Sequence, residues 1–524
     1  MEISEQAVDA AVYKRRWWIL LVIALSVLVV VLDSTIVNIA LPTLQTELVA
    51  TFSDLQWIVN IYIMIFAALM LTTGAIGDKV GRKKVLQLGI LFFGVSSLFA
   101  SMTDTAGGLI LWRAIMGVGG AMMLPATLAI ITNVFPQKER GKAIGVWAGL
   151  NGIGIALGPI IGGLIIANLN WNWIFLVNIP VAVVALAAGW FLVPDSRDPN
   201  PKKLDIPGTI LSAAALALLV FGLIQGSDWG WTDAGILASL GGAIVLGFIF
   251  FLWERKTDSP MMEMSFFKNA RFSAGVLSVS IMALAMIGIN FSLTLYMQFV
   301  NGYTALETGV RFVPLALGVF IGSGSADKVV QKLGTTRVIM LGYLGTAVTL
   351  LLASFWQADT AYWQLGLIFF FFGFFLGYIA APATTAVMDS LPKARAGIGS
   401  AMNTVSRMVA GSIGVAALGS TLSSLYTSNF NDAIASVSGL SAEITEAASE
   451  SIGAAVTIAN SLPSEAGEAL AQVGKSSFMD AWQIMAFISL SICIVGALIV
   501  LKTMPPRYEV ITEVPTEAVN SGEE

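Results

Sequence analysis

Long apolar runs separated by short polar connections fill the chain, and their lengths match the thickness of a bilayer. One helical crossing takes about 20 apolar residues. Runs of that length stand at 17–41, 55–76, 84–102, 106–134, 141–167, 173–193, 206–225, 232–253, 272–300, 308–326, 336–355, 361–390, 397–425 and 478–501, predicting fourteen spans. The pattern predicts an all-α integral membrane protein. Many of the 51 glycines lie inside these runs, where small residues let helices pack closely in lipid. The first run is too long for a secretory signal and lacks a small-residue cleavage site, so it reads as a retained helix. Nothing points to a transit peptide or lipidation.

The polar positions supply orientation. Of the 28 Lys and Arg, 24 fall in the termini and alternate loops on one side, from Lys14, Arg15 and Arg16 to Lys502 and Arg507. The positive-inside rule makes that side cytoplasmic and puts both termini there. The opposite loops hold only Lys475, and arginines 113, 311 and 407 fall within spans. Residues 194–205 form a polar, proline-rich connection. Residues 426–477 are rich in Ala, Ser and Glu, and are expected to form a solvated external hairpin outside the core. Helix is predicted from Ser441 to Asn460, with Pro463 marking a turn; the functional alternative is a gate flap or an acidic lure for cations.

The chain repeats itself. GGAMMLPATLAIITN in the fourth span aligns with LGYIAAPATTAVMDS in the twelfth, pairing Pro125 with Pro382, and the following spans pair Gly141 with Gly397. The organisation predicted is a six-helix half over 1–193 and a linker with two extra spans over 194–271. A second six-helix half follows over 272–501, including the loop 426–477, and 502–524 is a cytoplasmic tail. Halves related in this way rock about a central site near the membrane midplane.

Composition narrows the chemistry. The chain is 56% hydrophobic and 12% charged, with no histidine, so a proton relay must use carboxylates, water or backbone. No metal site is expected. Cys493 is alone and reads as a buried apolar residue. No G-x-x-x-x-G-K-[ST] occurs, which excludes an ATP-driven pump of that type, and no paired acids lie within a span to suggest an intramembrane enzyme. Transport remains. Intramembrane charges are expensive and mark function, and Asp33 is the one carboxylate deep in a span. Burial favours its neutral form, which suits a proton carrier, whereas a bound organic cation favours the ionised form. Arg113 is placed to tune it. An apolar cavity with a few polar groups takes lipophilic drugs; candidates to line it are Asp33, Trp57, Asn60, Trp147, Asn151, Asn290, Tyr296, Gln298, Asn403 and Arg407.

Three motifs add a resemblance. After the second span, GAIGDKVGRKKVL runs from Gly74 to Leu86; Gly81 suits a turn with positive φ, and Asp78 can accept from Arg82. A looser echo, Asp327, Lys328, Gly334 and Arg337, follows the tenth span. In the fifth span, GIGIALGPIIGG places Gly154, Gly158 and Gly162 four apart on one face, with Pro159 breaking the backbone ladder; no strand precedes it, which argues against dinucleotide binding. The first span ends LDSTIVNIALPTL, the sixth begins WNWIFLVNIPV, and the thirteenth carries NTVSRMVAGSIGVA. Together these resemble the fourteen-helix drug:proton antiporters of the major facilitator superfamily, most of all its quaternary-ammonium and dye exporters.

The resemblance implies a cytoplasmic gate motif at Gly74, Asp78, Gly81 and Arg82, and an antiporter motif at Gly154, Gly158, Pro159 and Gly162. It implies a bacterial plasma-membrane exporter driven by the proton-motive force without a cofactor, with small lipophilic substrates, protons and lipid as partners, no nucleic acid, and the monomer as working unit. A tetracycline-type antiporter or an exporter of an endogenous metabolite or antibiotic is the alternative. Similar dication exporters carry additional carboxylates in the second, tenth and thirteenth spans, where this chain has Asn60, no acid within 312–326, and Asn403 with Arg407.

Overall fold

A computed structural model describes residues 10–197, 204–262, 264–390, 396–435, 437 and 440–504. Part of the 194–205 connection, Lys393, Arg395 and most of the predicted tail lie outside the described residues. Helix occupies every predicted run. The first half holds α1 (Ala10–Glu47), α2 (Phe52–Val80), α3 (Arg82–Ala100), α4 (Ala106–Val134), α5 (Gln137–Asn168), α6 (Trp173–Leu176) and α7 (Asn178–Leu192). The inserted pair is α8 (Ile206–Trp229) and α9 (Ala234–Lys256). The second half holds α10 (Ala270–Leu295), extended by a π-turn over Tyr296–Val300, then α11 (Ala305–Arg311), α12 (Val313–Leu333), α13 (Thr335–Ala353), α14 (Tyr362–Asp389) and α15 (Ala396–Ile434). Two short helices, α16 (Ala442–Ser449) and α17 (Ile452–Ala459), precede α18 (Ser464–Thr503). Among the described residues, thirteen helical stretches are long and apolar enough to cross a membrane; α5 adds the shorter apolar piece Leu157–Asn168.

Local chemistry sets the ends. Thr51 and Asp54 form a capping box at the start of α2, and Thr304 with Glu307 does the same for α11. That box satisfies two orphan backbone donors at each start. Asp205 and Asp233 cap the inserted pair. Gly81, between α2 and α3, has φ 126°, and Gly334, between α12 and α13, has φ 83°. Such angles are readily reached only without a Cβ.

The repeat is visible in the packing. α2 with α4, α1 with α5, α3 with α4, α3 with α7 and α1 with α7 have their counterparts in α12 with α14, α10 with α15, α13 with α14, α13 with α18 and α10 with α18. Pro125 and Pro382 lie inside the corresponding helices α4 and α14. α8 packs on α9, on α2 of the first half and on α15 of the second, while Leu237, Ile244, Val245 and Phe248 of α9 face outward as an apolar surface.

The two halves meet mainly through α5 with α11, α2 with α15 and α1 with α10. Among the described residues, the side-chain hydrogen bonds joining them are Gln45 Nε2 to Ser451 Oγ (2.7 Å), Gln298 Nε2 to the Ile39 carbonyl (2.8 Å) and Ser412 Oγ to Asn60 Oδ1 (2.9 Å). All three lie toward the side opposite the basic loops.

The 426–477 segment departs from expectation. It is not a solvated hairpin outside the core. α15 continues to Ile434 and α18 starts at Ser464, and the pieces between them are pinned down. Ala448, Ile452, Ala455 and Ala459 are buried; Tyr426 Oη donates to the Ala448 carbonyl (3.0 Å), and Thr427 Oγ1 to that of Ser449 (2.9 Å). The reason lies in the spacing: these small and branched apolar residues repeat at three and four along short helices, making one face that must be covered. The glutamates around them mark only the wet face.

Candidate functional site

The centre of the first half is a buried ionic knot. Asp33 on α1 is 0% exposed and Arg113 on α4 is 1% exposed. Arg113 Nη1 donates to Asp33 Oδ2, and its Nε donates to the Ile58 carbonyl of α2 (3.2 Å). The guanidinium also lies over the Tyr62 ring, 4.2 Å from its centroid. From α7, Asn178 Nδ2 donates to Asp33 Oδ1 (3.1 Å) and to Ser97 Oγ of α3 (3.0 Å). Three helices thus meet at a single carboxylate, and α2 and α3 hold the two side chains that reach it. Each oxygen of Asp33 has a donor, which is what a charge held at membrane depth requires.

Asp33 and Arg113 are therefore neighbours, as their spacing in the first half allows. Asp33 was also expected to line the substrate cavity; in this structure it does not, because Arg113 and Asn178 enclose it. Asn178 and Tyr62 were missed by sequence reasoning. An amide in the apolar run FLVNIP was the available signal for Asn178; Tyr62 offers none, since an aromatic residue in a span is ordinary.

The basic turn after α2 is a joint within the first half. Arg82 Nε donates to Asp78 Oδ1 (2.9 Å), its Nη1 reaches the Ala129 carbonyl on α4 (3.4 Å), and its backbone N–H donates to the Ser196 carbonyl (2.8 Å). Gly74 lies against Pro125, where a Cβ would come to 3.4 Å from the ring. One arginine ties α2, α3, α4 and the segment after α7.

The glycine motif of α5 presents two faces. Gly154, Gly158 and Gly162 lie against Leu28 and Val31, Thr35, and Ile36 of α1. Turned by about 100°, Pro159 and Gly163 meet the other half: the Pro159 carbonyl is the neighbour of Gly309, and Gly163 abuts Leu306. The motif is thus packed between a helix of its own half and one of the other.

The remaining candidates scatter. Tyr296 is fully buried in a stack with Trp356 and Trp482, ring centroids 5.6 and 5.7 Å away, and its hydroxyl donates to the Gln357 carbonyl. It belongs to the interior of the second half and not to a cavity, because it sits on the π-turn that swings it inward. Asn60 is buried at the contact with Ser412, and Gln298 is spent on Ile39. Trp57 is half-buried against Phe221 of α8. Trp147 is half-buried and donates to Thr127 Oγ1 (3.3 Å), and Asn290 is half-buried. Asn403 is buried, with Nδ2 3.5 Å from Thr384 Oγ1. Arg407, one turn further, is exposed. The side chain of Asn151 lies outside the described residues.

Comparison with known proteins follows the same lines. Residues 23–415 match the family described as Major Facilitator Superfamily. Over 516 residues the chain is 32% identical to the tetracenomycin C resistance and export protein of Streptomyces glaucescens, covering 97% of this chain and 96% of that one. It is 31% identical over 469 residues to a methyl viologen resistance protein of Salmonella typhimurium, covering 89% and 93%. Among solved structures, a bacterial homologue of the human lysosomal transporter Spinster superposes with a TM-score of 0.62 at 15% identity, covering 93% of this chain and 98% of that one.

Proposed function

The chain belongs to the major facilitator superfamily and is a drug-efflux transporter of the bacterial plasma membrane, not an enzyme; from that premise we propose that it exchanges protons for lipophilic amphiphiles. The substrates proposed are organic cations, among them quaternary ammonium compounds and dyes, together with amphiphilic antibiotics. The chain crosses the bilayer fourteen times with both termini in the cytoplasm, works as a monomer and draws on the proton-motive force alone.

The observation that carries this reading is the Asp33 knot. A carboxylate at membrane depth, held by Arg113, Tyr62-stacked, and by Asn178, is a two-state element. Ionised, it keeps α1, α4 and α7 tied together. Protonated, it loses the attraction that holds Arg113, and α1 is released from α4. α1 and α5 share the glycine face, and α5 carries the contact to α11. A proton arriving at Asp33 thus acts on the helices that join the halves. Aromatic rings attract organic cations by about 0.5–2 kcal/mol each.

The test is ethidium movement in everted membrane vesicles. Energised vesicles should accumulate the dye, a protonophore should abolish accumulation, and Asp33→Asn should abolish it without the protonophore. Accumulation that survives the protonophore would refute proton coupling.

A further inference from the structure

Arg407 stands 11 residues past Ala396, the start of α15, about 17 Å along the helix axis. α15 is an enclosed helix, packed by α2, α8, α10, α14 and α18. Its neighbours Met402, Asn403, Ala410 and Ser412 are all buried, yet Arg407 is exposed. An exposed residue on an enclosed helix looks into open space inside the protein. A guanidinium at that depth is tolerated where it meets water or a counter-charge, and Arg407 has no acceptor among the described residues. The direction of the space follows from the register. Asn403, one turn below on the same face, reaches Thr384 of α14, and Gly411, one turn above, abuts Ile287 of α10. Ser412, on another face, reaches Asn60 of the first half. Arg407 lies on the basic-loop side of that last contact, beyond the side-chain hydrogen bonds that join the halves among the described residues.

The one carboxylate deep in a span is occupied elsewhere. Asp33 is fully buried and has its two oxygens committed to Arg113 and Asn178. Glu307 is spent on its own capping box and on Arg311 (3.5 Å). Among the described residues, Arg407 therefore faces the space between the halves without a carboxylate partner. Beside it, Asn403 Oδ1 is buried without a donor, an acceptor for an N–H or O–H next to the cation.

Resting on the efflux reading, and narrowing its amphiphilic antibiotics rather than its cations, we infer that Arg407 is the anchor for an acidic group on those substrates: a carboxylate or phenolate carried by an apolar, drug-sized body. The planar fork of arginine presents paired donors to such a group at every physiological pH. Asn403 then reads an adjacent hydroxyl or amine. The body of the molecule lies against the apolar faces of both halves.

The experiment uses the full chain in lipid nanodiscs and three fluorescent or spectroscopic probes: 9-anthracenecarboxylate, its neutral analogue 9-anthracenemethanol, and tetraphenylphosphonium. At pH 8 the carboxylate should bind at least about tenfold more tightly than the neutral analogue, the gain expected of a charge-assisted hydrogen bond. Arg407→Gln should erase that difference while leaving 9-anthracenemethanol binding unchanged, and Arg407→Lys should restore part of it. Retained preference in Arg407→Gln, or no preference in the unaltered protein, overturns the assignment. In the latter case binding of the neutral and cationic probes leaves the efflux reading standing. Failure to bind any of the three probes overturns both.

Discussion

Asn178 Nδ2 donates to Oδ1 of Asp33 while Arg113 holds Oδ2, and the same amide bonds Ser97 on α3. This buried carboxylate is thus held on one oxygen by a residue that carries no charge. Replacing Asn178 by Leu removes a hydrogen bond to a charged group, about 1.5–3 kcal/mol. Loss of this donor disfavours the ionised form, so drug export by Asn178→Leu should persist only at more alkaline pH than in the unaltered protein. The check is the pH profile of ethidium efflux; a profile that does not move would assign Asn178 a packing role alone.

Protonation of Asp33 and binding of a monovalent cation should exclude one another. Tetraphenylphosphonium affinity should fall as pH falls, and binding should release a proton from detergent-solubilised protein. Asp33→Asn should lose both effects together. Undiminished proton release from that variant would direct attention to Glu307 or Asp389.

Asp78 and Arg82 join three helices of one half through a single guanidinium. Asp78→Asn should leave the protein inserted and reduce transport at least tenfold, since an amide neither balances the charge nor accepts from Arg82 as strongly. Normal transport at normal expression would remove the gate assignment.

Gly309 lies against the Pro159 carbonyl so closely that a Cβ has no room. Gly309→Leu should force α5 and α11 apart. Spin labels placed on those helices should report a longer mean distance, with transport lost even though Asp33 is untouched. An unchanged distance distribution would show that the seam tolerates bulk.

The short helices α16 and α17 cover the ends of α1 and α15, with Gln45 bonded to Ser451 and Tyr426 to Ala448. Deleting 430–474 should therefore lower thermal stability in detergent rather than leave the core indifferent. A melting temperature equal to that of the full chain would return the hairpin to the solvent.

Much of this was legible beforehand because lipid imposes a simple code. Span lengths follow from bilayer thickness, so the run at 106–134 coincides with α4 to the residue. Gly81 announced its positive φ through its place in a charged turn. The repeat of Pro125 and Pro382 foretold the matching packing of the two halves. What stayed hidden depends on rotation about the helix axis. Tyr296 and Asn290 lie in one run, yet a π-turn sends Tyr296 into an aromatic stack. Asp33 was legible as a deep acid, but not that Asn178 would enclose it, since that contact joins residues 145 positions apart. The hairpin misled because its glutamates were counted and its apolar face was not.

The inserted pair breaks the symmetry that the repeat creates. Two halves related by a twofold should present two equal margins to the surrounding lipid, one at α2 with α15 and one at α5 with α11. α8 lies across the first margin, gripping α2 and α15 at once, and among the described residues neither helix of the inserted pair packs on the second. A greasy molecule diffusing within the membrane therefore meets a wall on one flank and, on the other, a seam where Gly309 abuts Pro159 and Gly163 abuts Leu306. The protein thus has a front and a back in the plane of the bilayer, one flank covered by the inserted pair.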